Sequence, residues 1–164
     1  MRLAAIAVVF TVGFGAGVWA TAHAQQTTPQ AAPLPAERVT GIGGVFFKAK
    51  DPKALGAWYR QALGVDTAAG APFATFRWRE REDQSKVATT AWSLFPVTTK
   101  YFAPSDASFM INYRVRNLDA MLAQLRALGV TVDQKVTEDA NGKFTWIVDP
   151  EGNKIELWEP KTGS

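Results

Sequence analysis

Gly44-Val45-Phe46-Phe47-Lys48-Ala49-Lys50-Asp51 recurs, sixty-six positions later, as Met110-Ile111-Asn112-Tyr113-Arg114-Val115-Arg116-Asn117. Each copy is a short β-rich run that ends on Asp or Asn and leads into a helix-like stretch. Both stretches run out through the same three residues, Leu63-Gly64-Val65 and Leu128-Gly129-Val130. A strand followed by a helix, repeated at fixed spacing, marks a duplicated unit. It directs the rest of the reading.

In the first half, Asp51 can cap free backbone N–H groups and Pro52 suits a first helical turn. Ala54, Leu55, Trp58, Tyr59 and Leu63 keep the spacing of a buried helix face, and Gly64 is a natural stop. Phe73 to Trp78 and Ala88 to Phe95 read as strands, parted by the polar stretch Glu80 to Lys86. Pro96 to Ser108 links the halves. In the second half, Phe109 to Val115 is a strand and Asn117 a cap. Leu118, Met121, Leu122, Leu125 and Leu128 form the helix stripe, ended by Gly129. Val130 to Val136, Lys143 to Val148 and Lys154 to Trp158 follow as strands. Asp149-Pro150-Glu151-Gly152-Asn153 is a tight turn, with Pro fixing one position and Gly permitting a left-handed one. Each half is thus predicted as strand–helix–strand–strand–strand, and the class is α+β.

The ends have another character. Arg2 precedes the apolar run Leu3 to Trp19, and Ala22-His23-Ala24 is a small-x-small cleavage site, the pattern of a secretory signal. The rival is an uncleaved anchor, but Gly13, Gly15 and Gly17 weaken a helix that is already at the short limit for a span. Residues 1–24 are therefore expected to be a signal peptide and 25–37 a flexible leader rich in Gln, Thr, Pro and Ala. One domain is expected over 38–160, with modules at about 38–96 and 108–160 and a tail at 161–164. The expected location is outside the cytoplasm, periplasmic or secreted, with no membrane attachment after cleavage.

The chain has 18 Lys plus Arg against 15 Asp plus Glu. Loss of residues 1–24 removes only Arg2, and the charges left are interspersed. The densest basic spot, Arg77-Trp78-Arg79-Glu80-Arg81, is interrupted by an acid, so no nucleic-acid partner is expected. There is no Cys, which excludes disulfides and lipidated cysteine. The one His, His23, lies in the signal segment, so the mature chain lacks the commonest metal ligand.

Four segments carry a family resemblance. They are Gly41 to Pro52, Ala57-Trp58-Tyr59-Arg60, Asn112 to Val115 with Leu118-Asp119-Ala120, and Asp149 to Pro160. In this order and spacing the chain resembles the vicinal oxygen chelate superfamily of glyoxalase I, bleomycin-resistance proteins and extradiol dioxygenases. The resemblance implies the glyoxalase/bleomycin-resistance fold, two βαβββ modules whose paired curved sheet encloses a cup. In metal-bearing members four side chains point into that cup. By position these are Gly44, Ser93, Met110 and Glu156. Only Glu156 is a usual ligand for such ions, so no cofactor is expected, with a divalent metal held by Glu156 and waters as the rival. Dimers are common in the family. One chain here supplies both modules, so a homodimer is permitted and not required.

If those four positions face inward, strand alternation adds Phe46, Lys48, Phe95, Asn112, Arg114 and Trp158 to the lining. Val45, Phe47, Ile111, Tyr113, Val115, Ile155 and Leu157 then face the helices, and all are apolar or amphipathic. Glu156 can be read as a metal ligand, as a general base raised by burial, or as an ion-pair partner of Lys48 or Arg114; the third is preferred because a buried carboxylate needs a partner. Ser93 is a small residue leaving room for ligand, since a nucleophile would need a base such as Lys48. Met110 is apolar lining. Asn112 and Arg114 can orient a carboxylate or carbonyl, and Phe95 and Trp158 can stack on a flat ligand. Trp58, Tyr59, Trp92 and Trp146 are assigned to the core. Tyr101-Phe102 either covers the cup mouth or packs on a sheet edge. The expected function is an exported domain binding a small aromatic or amphipathic molecule in the cup without the standard metal. Its rivals are a metal-dependent lyase, isomerase or dioxygenase, for which Glu156 is the candidate catalytic residue, and an interaction module with a filled cup.

Overall fold

The computed structural model describes residues 35–68 and 71–161. The predicted signal peptide, most of the leader and residues 162–164 lie outside the described residues. The elements run β1 (Gly41–Ala49), α1 (Pro52–Leu63), β2 (Phe73–Arg79), β3 (Val87–Pro96), β4 (Phe109–Arg114), α2 (Leu118–Ala127), β5 (Thr137–Asp139), β6 (Gly142–Val148) and β7 (Lys154–Pro160). They form one seven-stranded sheet in the order β2-β3-β1-β4-β7-β6-β5 with two helices, an α+β fold.

The duplication is written into the register. The two repeated strands, β1 and β4, lie side by side and antiparallel at the centre. Gly44 pairs with Asn112 and Phe46 with Met110, so the repeat's equivalent residues exchange partners about the Val45–Ile111 pair. Outward from this axis each half repeats the same step. Strand β1 runs parallel to β3 with Phe46 beside Ser93, and β4 runs parallel to β7 with Asn112 beside Glu156. Ser93 and Glu156 are therefore structural counterparts, as are Gly44 and Met110.

Local chemistry sets the helix ends. The Asp51 carboxylate accepts from the Ala54 N–H at 2.9 Å, and the Asn117 side-chain oxygen accepts from the Ala120 N–H at 2.9 Å. Glu159 on β7 also accepts from the Leu118 N–H, at 2.6 Å, tying the start of α2 to the sheet. Gly64 closes α1 with φ 68°, and Gly129 follows α2 with φ 76°. The Asp149 carboxylate binds the Glu151 and Asn153 N–H groups, and Gly152 takes φ 83°, which completes the predicted tight turn.

Three expectations are corrected. Among the described residues the first half has two strands after its helix, not three; before β2, Thr67 N–H donates to Val65 O and Ala71 N–H to Ala68 O. Val130 to Val136 is not a continuous strand. Val132 makes one bridge to Ile147, after which Lys135 N–H turns back onto the Asp133 carboxylate and the Thr145 hydroxyl donates to Lys135 O. The third concerns α1, where Trp58 and Leu63 are exposed rather than core. Glu37, assigned to the flexible leader, is held by the Gln124 amide through both its N–H and its C=O, at 3.1 and 2.9 Å.

The core lies on both faces of the sheet. On the helix side Val115, Leu118, Met121, Leu122 and Leu157 pack with Tyr113, Ile147 and Ile155. Phe47, Tyr59 and Trp92 meet edge to face under α1. On the opposite side Phe46, Phe102, Met110 and Trp146 form a second cluster. The predicted alternation of β1 and β4 thus describes the sheet.

Candidate functional site

The concave face has a filled end and an open end. The linker between the halves enters the filled end. Phe102 is 1% exposed and packs with Phe46, Met110 and Trp146, while Tyr101 stacks on Phe95 with ring centroids 5.5 Å apart. Lys154 seats the loop, donating to Tyr101 O at 2.7 Å with its ammonium over the Trp146 and Tyr101 rings. Neither alternative for Tyr101-Phe102 describes this arrangement: Phe102 is buried inside the cup and Tyr101 lines its open end.

Glu156 sits where the two ends meet. It is buried, and the Tyr101 hydroxyl donates to Oε1 while Asn112 Nδ2 donates to Oε2 at 2.7 Å. Burial raises its pKa above the usual carboxylate range, and the bonds from Tyr101 and Asn112 only partly oppose this. Burial and the facing carboxylate push the Tyr101 phenol well up in turn. The preferred ion pair with Lys48 or Arg114 is not formed. Lys48 lies over the Phe102 ring at 5.4 Å, and Arg114 pairs with Glu80 at 3.3 Å between the Trp78 and Trp158 rings. Neutral donors satisfy Glu156 because the linker brings a phenol closer than either cation.

The open end is a cavity of about 740 Å³. Of the residues expected to line the cup, Phe46, Asn112, Glu156 and Trp158 border it. Lys48, Ser93, Phe95, Met110 and Arg114 do not: Met110 and Phe95 belong to the packed end, and Arg114 is buried beneath Gly43 and Trp158. The rest of the lining comes from Gly43, Tyr101, Asn141 and Phe144, together with Thr75 and Arg77 of β2 and Val87, Thr89 and Ala91 of β3. The β2 and β3 residues share the parity of Ser93 and its partner Phe73, so alternation carried out to these strands would have found them. Phe144 and Trp158 stack in parallel, 5.9 Å apart, and make a flat aromatic wall.

A metal centre at the four family positions does not fit these residues. A Cβ on Gly44 would lie 2.5 Å from the Phe46 ring, so that ring fills the space of the first ligand. Met110 is packed among aromatic rings, Ser93 is a weak donor, and both Glu156 oxygens already accept hydrogen bonds. Among the described residues no three of His, Cys, Asp and Glu come together as a ligand set.

Residues 44–158 match the family described as Glyoxalase-like domain, well over half of the chain. Among solved structures, a methylmalonyl-CoA epimerase in complex with methylmalonyl-CoA and ammonium is similar at 18% identity and TM-score 0.53, over 76% of this chain and 97% of its own. A variant of Streptomyces coelicolor methylmalonyl-CoA epimerase in complex with 2-nitronate-propionyl-CoA gives 18%, TM-score 0.54 and the same coverage. The enzyme of that name from Mycobacterium tuberculosis gives 23% and 0.48, over 78% of this chain and 93% of its own. At these identities the likeness is one of fold. No curated protein matches the sequence.

Proposed function

The chain belongs to the glyoxalase-like domain family, and from that premise we propose that it is an exported binding domain that holds a small aromatic or amphipathic molecule in its cup without the family's metal centre. The observation that carries this reading is the pairing of an open cavity with a ligand set occupied by the protein itself. The 740 Å³ space is of the size that small-ligand pockets have, and its walls are aromatic with a few convergent polar groups. The Tyr101 hydroxyl and the Asn112 amide hold Glu156 where relatives would hold a metal. Export rests on the signal-like pattern of residues 1–24.

A proton-transfer enzyme is the second reading, favoured by the buried, raised Glu156 beside the cavity. Against it, both carboxylate oxygens are engaged. Metal content of the mature chain, made without a histidine tag and dialysed against divalent ions, tests the proposal. We expect substoichiometric metal and unchanged thermal stability on addition of ions. A stoichiometric, stabilising ion would overturn the metal-free reading.

A further inference from the structure

Tyr101 stands where the filled end meets the cavity, and four groups receive it as a phenol. Its ring stacks on Phe95 with centroids 5.5 Å apart and meets the Trp146 ring edge to face at 6.1 Å. The Lys154 ammonium lies 5.4 Å from its ring centroid, and its hydroxyl donates to the buried Glu156 carboxylate. A stacking face, an edge contact, a cation and a charged acceptor together make a recognition site for a hydroxylated ring.

Other groups hold the linker down. Phe102, the next residue, is 1% exposed among Phe46, Met110 and Trp146, whereas Tyr101 is 38% exposed and borders the open space. The Phe102 anchor and the Lys154 bond to Tyr101 O make no use of the Tyr101 phenol. The linker can therefore stay seated when that phenol leaves, and the volume it vacates adjoins the cavity.

Resting on the cup being a binding site, we propose that Tyr101 is a displaceable occupant of a phenol subsite and that the cup's ligand is a phenol. The ligand's hydroxyl replaces that of Tyr101 on Glu156 and its ring replaces that of Tyr101 on Phe95. Tyr101 turns out toward solvent while Phe102 keeps the linker in place, and the rest of the ligand extends into the 740 Å³ space. A side chain tethered beside its own site competes at roughly millimolar effective concentration or above, so a bare phenol binds the native chain weakly.

The test titrates para-cresol, the tyrosine side chain set free, and toluene, the same ring without the hydroxyl, into the mature protein and its Tyr101→Phe and Tyr101→Ala variants, followed by calorimetry. Para-cresol should bind the native chain weakly and Tyr101→Ala at least about tenfold more tightly. Tyr101→Phe should fall between, because Phe still competes for the ring site and no longer for Glu156. Toluene should bind Tyr101→Ala more weakly than para-cresol does, for want of a donor to the carboxylate. If Tyr101→Ala does not fold, Tyr101→Phe must still bind para-cresol more tightly than the native chain. Equal affinity for para-cresol in all three proteins puts the phenol elsewhere in the cup, which overturns the inference and leaves the cup reading standing. Binding by the variants with none by the native chain makes Tyr101 a fixed part of the wall and overturns its displacement. Toluene as tight as para-cresol overturns the phenol assignment. Silence of every protein toward both probes takes the cup reading down with the inference.

Discussion

Helix α2 buries Leu118, Met121 and Leu122 against the sheet, whereas α1, its counterpart in the first half, buries only Gly56 and leaves Trp58 and Leu63 53% and 63% exposed. The strands differ in the same sense. The second half carries Glu156, Asn112 and Met110 into the buried centre, and the first half has Ser93, Phe46 and Gly44 at the equivalent places. A duplicated unit was therefore kept as a backbone plan and divided as chemistry. The second half holds the buried polar network and the tighter helix. The first half contributes the ring that fills the old ligand space, and the wall that carries Arg77.

That difference has its largest consequence in helix packing. Leu122→Ala removes a fully buried side chain and should cost about 3 kcal/mol. Leu63→Ala, on a side chain already mostly in water, should fall within about 0.5 kcal/mol. Urea denaturation of the two variants decides it, and equal losses would break the comparison.

The next effect lies in the strands. Glu156→Ala strands the Tyr101 hydroxyl and the Asn112 amide without acceptors, which predicts a loss of about 2 kcal/mol. Ser93→Ala at the counterpart position should again stay within about 0.5 kcal/mol, since its side chain makes no hydrogen bond among the described residues. A costly Ser93→Ala would mean that both halves still share the polar task.

Much of this was legible in the sequence, for physical reasons that vary by residue. The repeat, the Asp51 and Asn117 caps and the Asp149–Asn153 turn are local chemistry, and the period-two alternation of β1 and β4 fixed which side chains face the cup. The partner of Glu156 was not legible, because Tyr101 reaches it from a linker with no periodicity. Nor was the exposure of Trp58, since helical spacing says which residues share a face and not how closely that face approaches the sheet. The bend at Asp133 was not legible either, because side-chain hydrogen bonds took over backbone groups that the β pattern of Val130 to Val136 assigns to a ladder.

The smallest effect is a pH dependence, and it tests whether burial or hydrogen bonding governs Glu156. Burial raises its pKa above the ordinary 4.5, so the folded chain keeps a proton that the unfolded chain has lost. The group's contribution to stability is then full below the ordinary value, declines as pH rises toward the raised folded value, and levels beyond it. Glu156→Gln removes the titration but keeps an oxygen for the Tyr101 hydroxyl. If the Asn112 amide turns over, its unpartnered Oδ1 can accept from the new Gln N–H. The stability of wild type relative to Glu156→Gln should therefore fall as pH rises through that window, by less than either preceding effect. Thermal unfolding of both proteins across a pH series measures it. A difference that instead favours wild type increasingly with pH would mean that the Tyr101 and Asn112 donors outweigh desolvation. The carboxylate would then stand ionised in the cup, held by those two donors.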